Sequence, residues 1–157
     1  MSGQMNTLQL EQLNSKDEQG FFTGRLDLSR IGMFGHSYGG AASAQMLLKD
    51  PRIKAAMNMD GTLYGSPMPG TGLWEETVNR RTNALQGGGF TMTIPHTSHM
   101  SFTDFHLFSP ILSNPGEDPR LVHRIINEVS VAFFNQYLKG IPSSTLEQLA
   151  DQYRVVD

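Results

Sequence analysis

At 157 residues and 17.4 kDa the chain can bury one core but is short for two, so residues 1–157 are expected to form a single domain. Hydrophobic residues make up 38% and charged residues 17%, the balance of a globular protein rather than a disordered one. A net charge of -3 and a pI near 5.9, without a cluster of Lys or Arg, argue against a nucleic-acid partner.

The absence of cysteine excludes disulfides, thiolate metal ligands and a cysteine nucleophile, and is compatible with either redox compartment. Met1 to Leu13 has neither the basic start nor the apolar run of a secretion signal. No stretch approaches the roughly 20 apolar residues of a membrane span, so a soluble chain is expected.

In chain order, Met5, Leu8 and Leu13 share a helical face, and the polar run from Asn14 to Gly20 ends that helix. Ile31 to Phe34 reads as a buried strand. Tyr38 to Lys49 reads as a helix, stopped by Asp50-Pro51 because the residue before proline avoids the helical region. Ile53 to Met59 reads as a second buried strand. Gly61 to Gly72, with four glycines and two prolines, reads as a loop. Leu73 to Leu85 carries a thin helical stripe of Trp74, Val78 and Leu85. After Gly87-Gly88-Gly89, the alternation of Phe90, Met92 and Ile94 with threonines has the period of a strand. The helix after Pro119 is the clearest, with Asp118 as its cap, proline in its first turn, and Gly140 and Pro142 at its end. Its apolar face runs through Leu121, Ile125, Val129, Phe133 and Tyr137, broadened by Val122, Ile126 and Phe134, and reads as core. A last helix begins at Ser143 or Ser144, with Glu147 placed for a capping box if Ser144 caps it.

The chemistry concentrates in Gly35-His36-Ser37-Tyr38-Gly39, a GxSxG pentapeptide followed by Gly40. A bare GxSxG arises by chance. Between a buried strand and a helix of small residues it marks a sharp turn that exposes the serine hydroxyl, with Gly35 and Gly39 expected to let strand and helix pack closely. Serine is not nucleophilic at neutral pH unless a histidine takes its proton and a carboxylate orients that histidine.

In the fold that uses this turn, the acid and then the histidine follow the serine on loops after later strands. Asp60 ends the second strand and fits the acid, although Asp-Gly is also a common turn pair. Asp104 and Asp118 are rivals. Among five histidines, His36 at the turn is expected to point away from the hydroxyl, and His123 lies within a helix. His99 follows the third strand in a Ser/Thr-rich loop, but spacing alone does not separate it from His96 or, a few residues later, His106. A zinc site from His96, His99 and His106 is disfavoured, because the loop lacks rigid ligand pairs of recognised spacing.

Three blocks in order, GRLDLSRIGMFGHSYGG, MNMDGTLYG and IPHTSHMSFTDF, resemble the platelet-activating factor acetylhydrolase family of α/β-hydrolases. The resemblance runs from about Leu8 to Lys139 and covers the C-terminal part of that domain. It implies an α/β architecture, a mostly parallel sheet flanked by helices, with the N-terminal strands missing. Another strand of the family pattern, between Asp60 and His99, is replaced by Gly65 to Gly72. Three strands led by Met33, Met57 and Met92 are therefore expected, with an exposed edge through which a second copy could pair.

By the same resemblance Ser37 is the nucleophile, Asp60 the acid and His99 the base, and the backbone N–H of Tyr38 is one donor of the oxyanion hole. The second donor belongs to a loop in the missing part. The implied activity is hydrolysis, without calcium, other metal or cofactor, of esters with short or oxidised acyl chains, phospholipids among them. The alternative is a non-catalytic remnant that binds itself or a partner.

Overall fold

The computed structural model describes residues 2–63, 73–85, 88–89, 91–108, 116–142 and 144–153. The loop expected over Gly65 to Gly72, the turn residue Gly87, Phe90 of the expected third strand, Ser143 and the side chain of Trp74 lie outside them.

The elements are α1 (Ser2–Ser15), β1 (Ile31–His36), α2 (Tyr38–Lys49), β2 (Ile53–Met59), α3 (Leu73–Ala84), a 3₁₀ turn (His99–Phe102), α4 (Phe105–Phe108), α5 (Pro119–Lys139) and α6 (Ser144–Tyr153). β1 and β2 pair in parallel, from Ile31 opposite Ile53 to His36 opposite Met59, with α2 as the crossover that parallel pairing requires. Salt bridges from Arg52 to Asp50 at 2.8 Å and to Glu11 at 2.7 Å tie the start of β2 to α1.

Alternation along the strands gives each face its own helix. A Cβ on Gly32 would meet the side chains of Phe134 and Leu138, Phe34 packs edge-on against Phe134 with centroids 5.9 Å apart, and Ser130 reaches Met57, so this face takes α5. Gly35 and Asn58 face the start of α2 instead. Asp118 accepts a hydrogen bond from Arg120 N–H at 2.9 Å, and Gly140 closes α5 in the left-handed conformation at φ 64°. The buried seam of α5 is Val122, Ile125, Val129 and Ala132, which meet Ile94 and, on α6, Leu146 and Leu149. Met57, Met92 and Phe102 pack around this cluster. Tyr137, assigned to the apolar face from its spacing, is exposed and packs on Phe133 with ring centroids 4.7 Å apart, while it is the next residue, Leu138, that lies against Gly32 of β1.

The expectation of a third strand is corrected. Residues 91–94 form no strand, and among the described residues the sheet has two. Period-two alternation reports burial of one face, which Ile94 and Met92 achieve against α5 without a backbone ladder. The loop expected after His96 is also more regular than its composition suggests, since it contains the 3₁₀ turn and α4.

Ile125, with 1% of its surface exposed, lies at the centre of the seam, whereas Val131 on the same helix is 61% exposed. Ile125→Ala is expected to lower unfolding stability by about 2–5 kcal/mol and Val131→Ala by roughly 0.5 kcal/mol or less, as read from urea titrations.

Candidate active site

β1 ends and α2 begins at one residue, Ser37, whose backbone is held at φ 57° and ψ -123°. A side chain makes such a conformation costly, so neighbouring contacts have to hold it. Ser37 N–H donates to Met59 O at 3.0 Å, which couples the turn to the end of β2. Tight passage is supplied by Gly35, where a Cβ would stand 2.6 Å from the Gly39 carbonyl carbon, and by Gly40, where it would run into Asn58 Oδ1 and the Gly35 carbonyl. Gly39, expected from the pentapeptide to matter for packing, has open space where its Cβ would be. The second close-packing glycine is one position later, because the residue that meets the strand ends is the third of α2.

Asp60 follows β2 in the left-handed conformation, φ 52°, at the level of Ser37 because the strands are in register. Asn58 brackets the turn, its Oδ1 accepting from Gly61 N–H at 2.8 Å and its Nδ2 donating to Gly61 O at 2.9 Å. His99 opens the 3₁₀ turn, where Ser98 and Ser101 form a reciprocal capping box.

These three segments converge. His99 Nδ1 lies 2.6 Å from Asp60 Oδ2, and His99 Nε2 lies 3.0 Å from Ser37 Oγ. With the Nδ1 proton donated to the carboxylate, Nε2 keeps its lone pair and accepts from the serine hydroxyl. That tautomer can take the hydroxyl proton as Oγ attacks an electrophile. Arg81 stands behind Asp60, its Nη2 3.9 Å from Asp60 Oδ1. Tyr38 N–H is the first amide of α2, among those that have no intrahelical acceptor, beside the serine. The side chains of His99 and Asp60 are 47% and 41% exposed, so the site lies open to solvent.

The rival residues are placed elsewhere. Asp118 caps α5, and Asp104 Oδ1 lies 3.5 Å from His123 Nδ1. His123 Nε2–H donates to Thr103 O at 3.1 Å and so ties α5 to the segment that carries His99. His96 is exposed, at φ 54°, with its carbonyl accepting from Glu117 N–H, and His106 is buried in α4. Among the described residues no three His, Asp or Glu side chains are grouped to hold a metal ion. His36 makes no hydrogen bond to the serine, and its ring packs on that of His99 with centroids 4.3 Å apart. Sequence reasoning missed Asn58 and Arg81. The run Asn-Met-Asp-Gly carries a signal for the first, since Asn readily bonds to the backbone of a turn a few residues on.

Residues 3–69 match the family model described as platelet-activating factor acetylhydrolase, isoform II. A protein of Arthroderma benhamiae, named a probable 1-alkyl-2-acetylglycerophosphocholine esterase, is 51% identical over 45 residues, which is 29% of this chain and 11% of that protein. The solved ferulic acid esterase of Streptomyces cinnamoneus superposes with a TM-score of 0.66 at 24% identity, over 92% of this chain and 51% of the esterase. Over residues 3–69 the chain is thus similar to platelet-activating factor acetylhydrolases, and it shares a partial α/β-hydrolase fold with the solved esterase. It spans about half of the solved esterase and a smaller share of the curated relative.

The two glycines after the serine separate experimentally. Gly40→Ala is expected to lower the melting temperature by several degrees and Gly39→Ala to leave it unchanged or slightly raised, since alanine favours a helix where there is room. Thermal melts of both variants, followed by circular dichroism, check this.

Proposed function

We propose that this acetylhydrolase-like α/β-hydrolase is a serine carboxylic ester hydrolase that cleaves short-acyl esters through an acyl-enzyme. The observation that carries the reading is the continuous hydrogen-bonded relay from Ser37 Oγ through His99 to Asp60, at 3.0 and 2.6 Å. Ser37 Oγ attacks the ester carbonyl carbon while its proton passes to His99 Nε2, and Asp60 stabilises the imidazolium that results. The oxyanion gains the N–H of Tyr38 at the positive end of α2. Collapse of the tetrahedral species breaks the bond to the leaving alkoxide, which takes the proton from His99. Water then enters by the same relay and releases the carboxylic acid. The fungal relative is named for an acetylated glycerophosphocholine, and that favours short acyl groups on phospholipids among the candidate esters.

The openness of the site bears on rate. Fixed dipoles count for less where solvent screens them, so with His99 and Asp60 nearly half exposed, and Tyr38 N–H the oxyanion donor identified among the described residues, the site is expected to acylate and to turn over slowly.

A second reading is favoured by one observation: β1 has a single strand partner among the described residues, and Phe34 on it is 62% exposed. On that reading the chain is a non-catalytic module, self-associating or partner-binding through the open edge.

Labelling with a fluorophosphonate, read by intact mass, separates the two. The hydrolase reading expects one adduct on the wild type and none on Ser37→Ala or His99→Ala, with slow hydrolysis of an acetyl ester. A folded chain that takes no adduct, and elutes as a stable oligomer in light-scattering chromatography, would overturn it in favour of the second reading.

A further inference from the structure

Resting on the proposed Ser37, His99 and Asp60 relay, we propose that Asn58 is a positioning residue that sets Asp60 against His99. Asn58 faces the α2 side of β2 two residues before Asp60, and its carboxamide closes a ring with both backbone groups of Gly61, as donor at 2.9 Å and acceptor at 2.8 Å. The bond from a backbone N–H fixes which amide atom is oxygen. Asp60 is thereby held inside a loop clamped at both sides, in a left-handed conformation that costs most residues with a Cβ and that aspartate tolerates better than they do.

The same carboxamide oxygen borders the nucleophile turn. A Cβ on Gly40 or on Gly61 would collide with Asn58 Oδ1, and one on Gly61 would also collide with the carbonyl oxygen of Ser37. The acid loop is thus seated directly beneath the serine, with Ser37 N–H bound to Met59 O between Asn58 and Asp60. Only a side chain that offers a donor and an acceptor at one length satisfies both Gly61 groups, which selects asparagine over aspartate or leucine. The bonds Asn58 makes reach neither His99 nor Ser37 Oγ, so its effect on the reaction passes through Asp60.

That indirect route gives a signature. The rate of fluorophosphonate labelling of the full chain is measured for wild type, Asn58→Ala, Asn58→Asp, Asp60→Asn and the double variant Asn58→Ala with Asp60→Asn, each checked for fold by circular dichroism. Asn58→Ala is expected to label about 10 to 100-fold more slowly, as for loss of a group that orients a reactive residue. Asn58→Asp retains the acceptor for Gly61 N–H and loses the donor, so it folds in the wild-type shape and is also slowed. The double variant is expected to be no slower than Asp60→Asn alone, because a residue acting through Asp60 has nothing left to position. A merely structural role would instead multiply the two losses. Wild-type rates in Asn58→Asp, or multiplied losses in the double variant, overturn the inference while Ser37 labelling of the wild type still stands. Failure of the wild type to label overturns the relay reading, and this inference with it.

Discussion

The candidate site depends on forcing one residue, Ser37, to be both the end of a strand and the threshold of a helix. A residue with a side chain resists φ 57° and ψ -123°, and the Ser37 side chain makes no cap hydrogen bond to α2 in return. Compensation comes from across the sheet. Met59 O takes the Ser37 N–H, and Gly35, Gly40 and Gly61 leave the space through which strand, helix and acid loop approach one another. The constraint that aims the hydroxyl therefore also fixes the end of β2 beside it. Asp60 lies next to that end, so turn and acid are two consequences of one parallel register.

His99 reaches the same place by a different route. Its segment has no ladder to the sheet among the described residues, and its height is set by packing. Ile94 and Phe102 flank it in sequence and belong to the cluster around Val122 and Ile125, while His123 holds the Thr103 carbonyl. α5 thus serves as the floor of the sheet and as the mount for the segment that carries His99. Two of the three groups are positioned by backbone geometry and the third by side-chain packing, so damage to the core is felt first at His99.

Much of this was legible in the residues because it depends on local chemistry. Helix ends were readable at Asp118, Pro119 and Gly140, whose capping and left-handed preferences act within a few residues. The two strands were readable as apolar runs bounded by turns. The third was misread because Thr91 and Thr93 alternate with Met92 and Ile94 as a half-buried strand does, while pairing requires a neighbour that sequence periodicity does not report. The convergence of Ser37, Asp60 and His99 was expected from order and family resemblance, since spacing left His96 and His106 as competitors. Asn58 and Arg81 went unread because their importance lies in what stands opposite them in space.

The open face of the molecule follows from the same arrangement. A preorganised donor or carboxylate gains much of its effect from a surrounding that excludes water, and fixed dipoles count for less as solvent screens them. Here the relay has short bonds, yet His99 and Asp60 are nearly half exposed, and β1 presents an unpaired side among the described residues with Phe34 on it. This chain spans 51% of the solved esterase of the same fold, and within it the strand-to-helix turn, the Asp60 loop and the His99 segment stand together. Geometry of the relay is thus local to this half of the fold, whereas dryness of the site is a property that strands and loops around it confer. On the proposed hydrolase reading, any element that covered the β1 side would act on rate by lowering the local dielectric, with Ser37, His99 and Asp60 already at hydrogen-bonding distance.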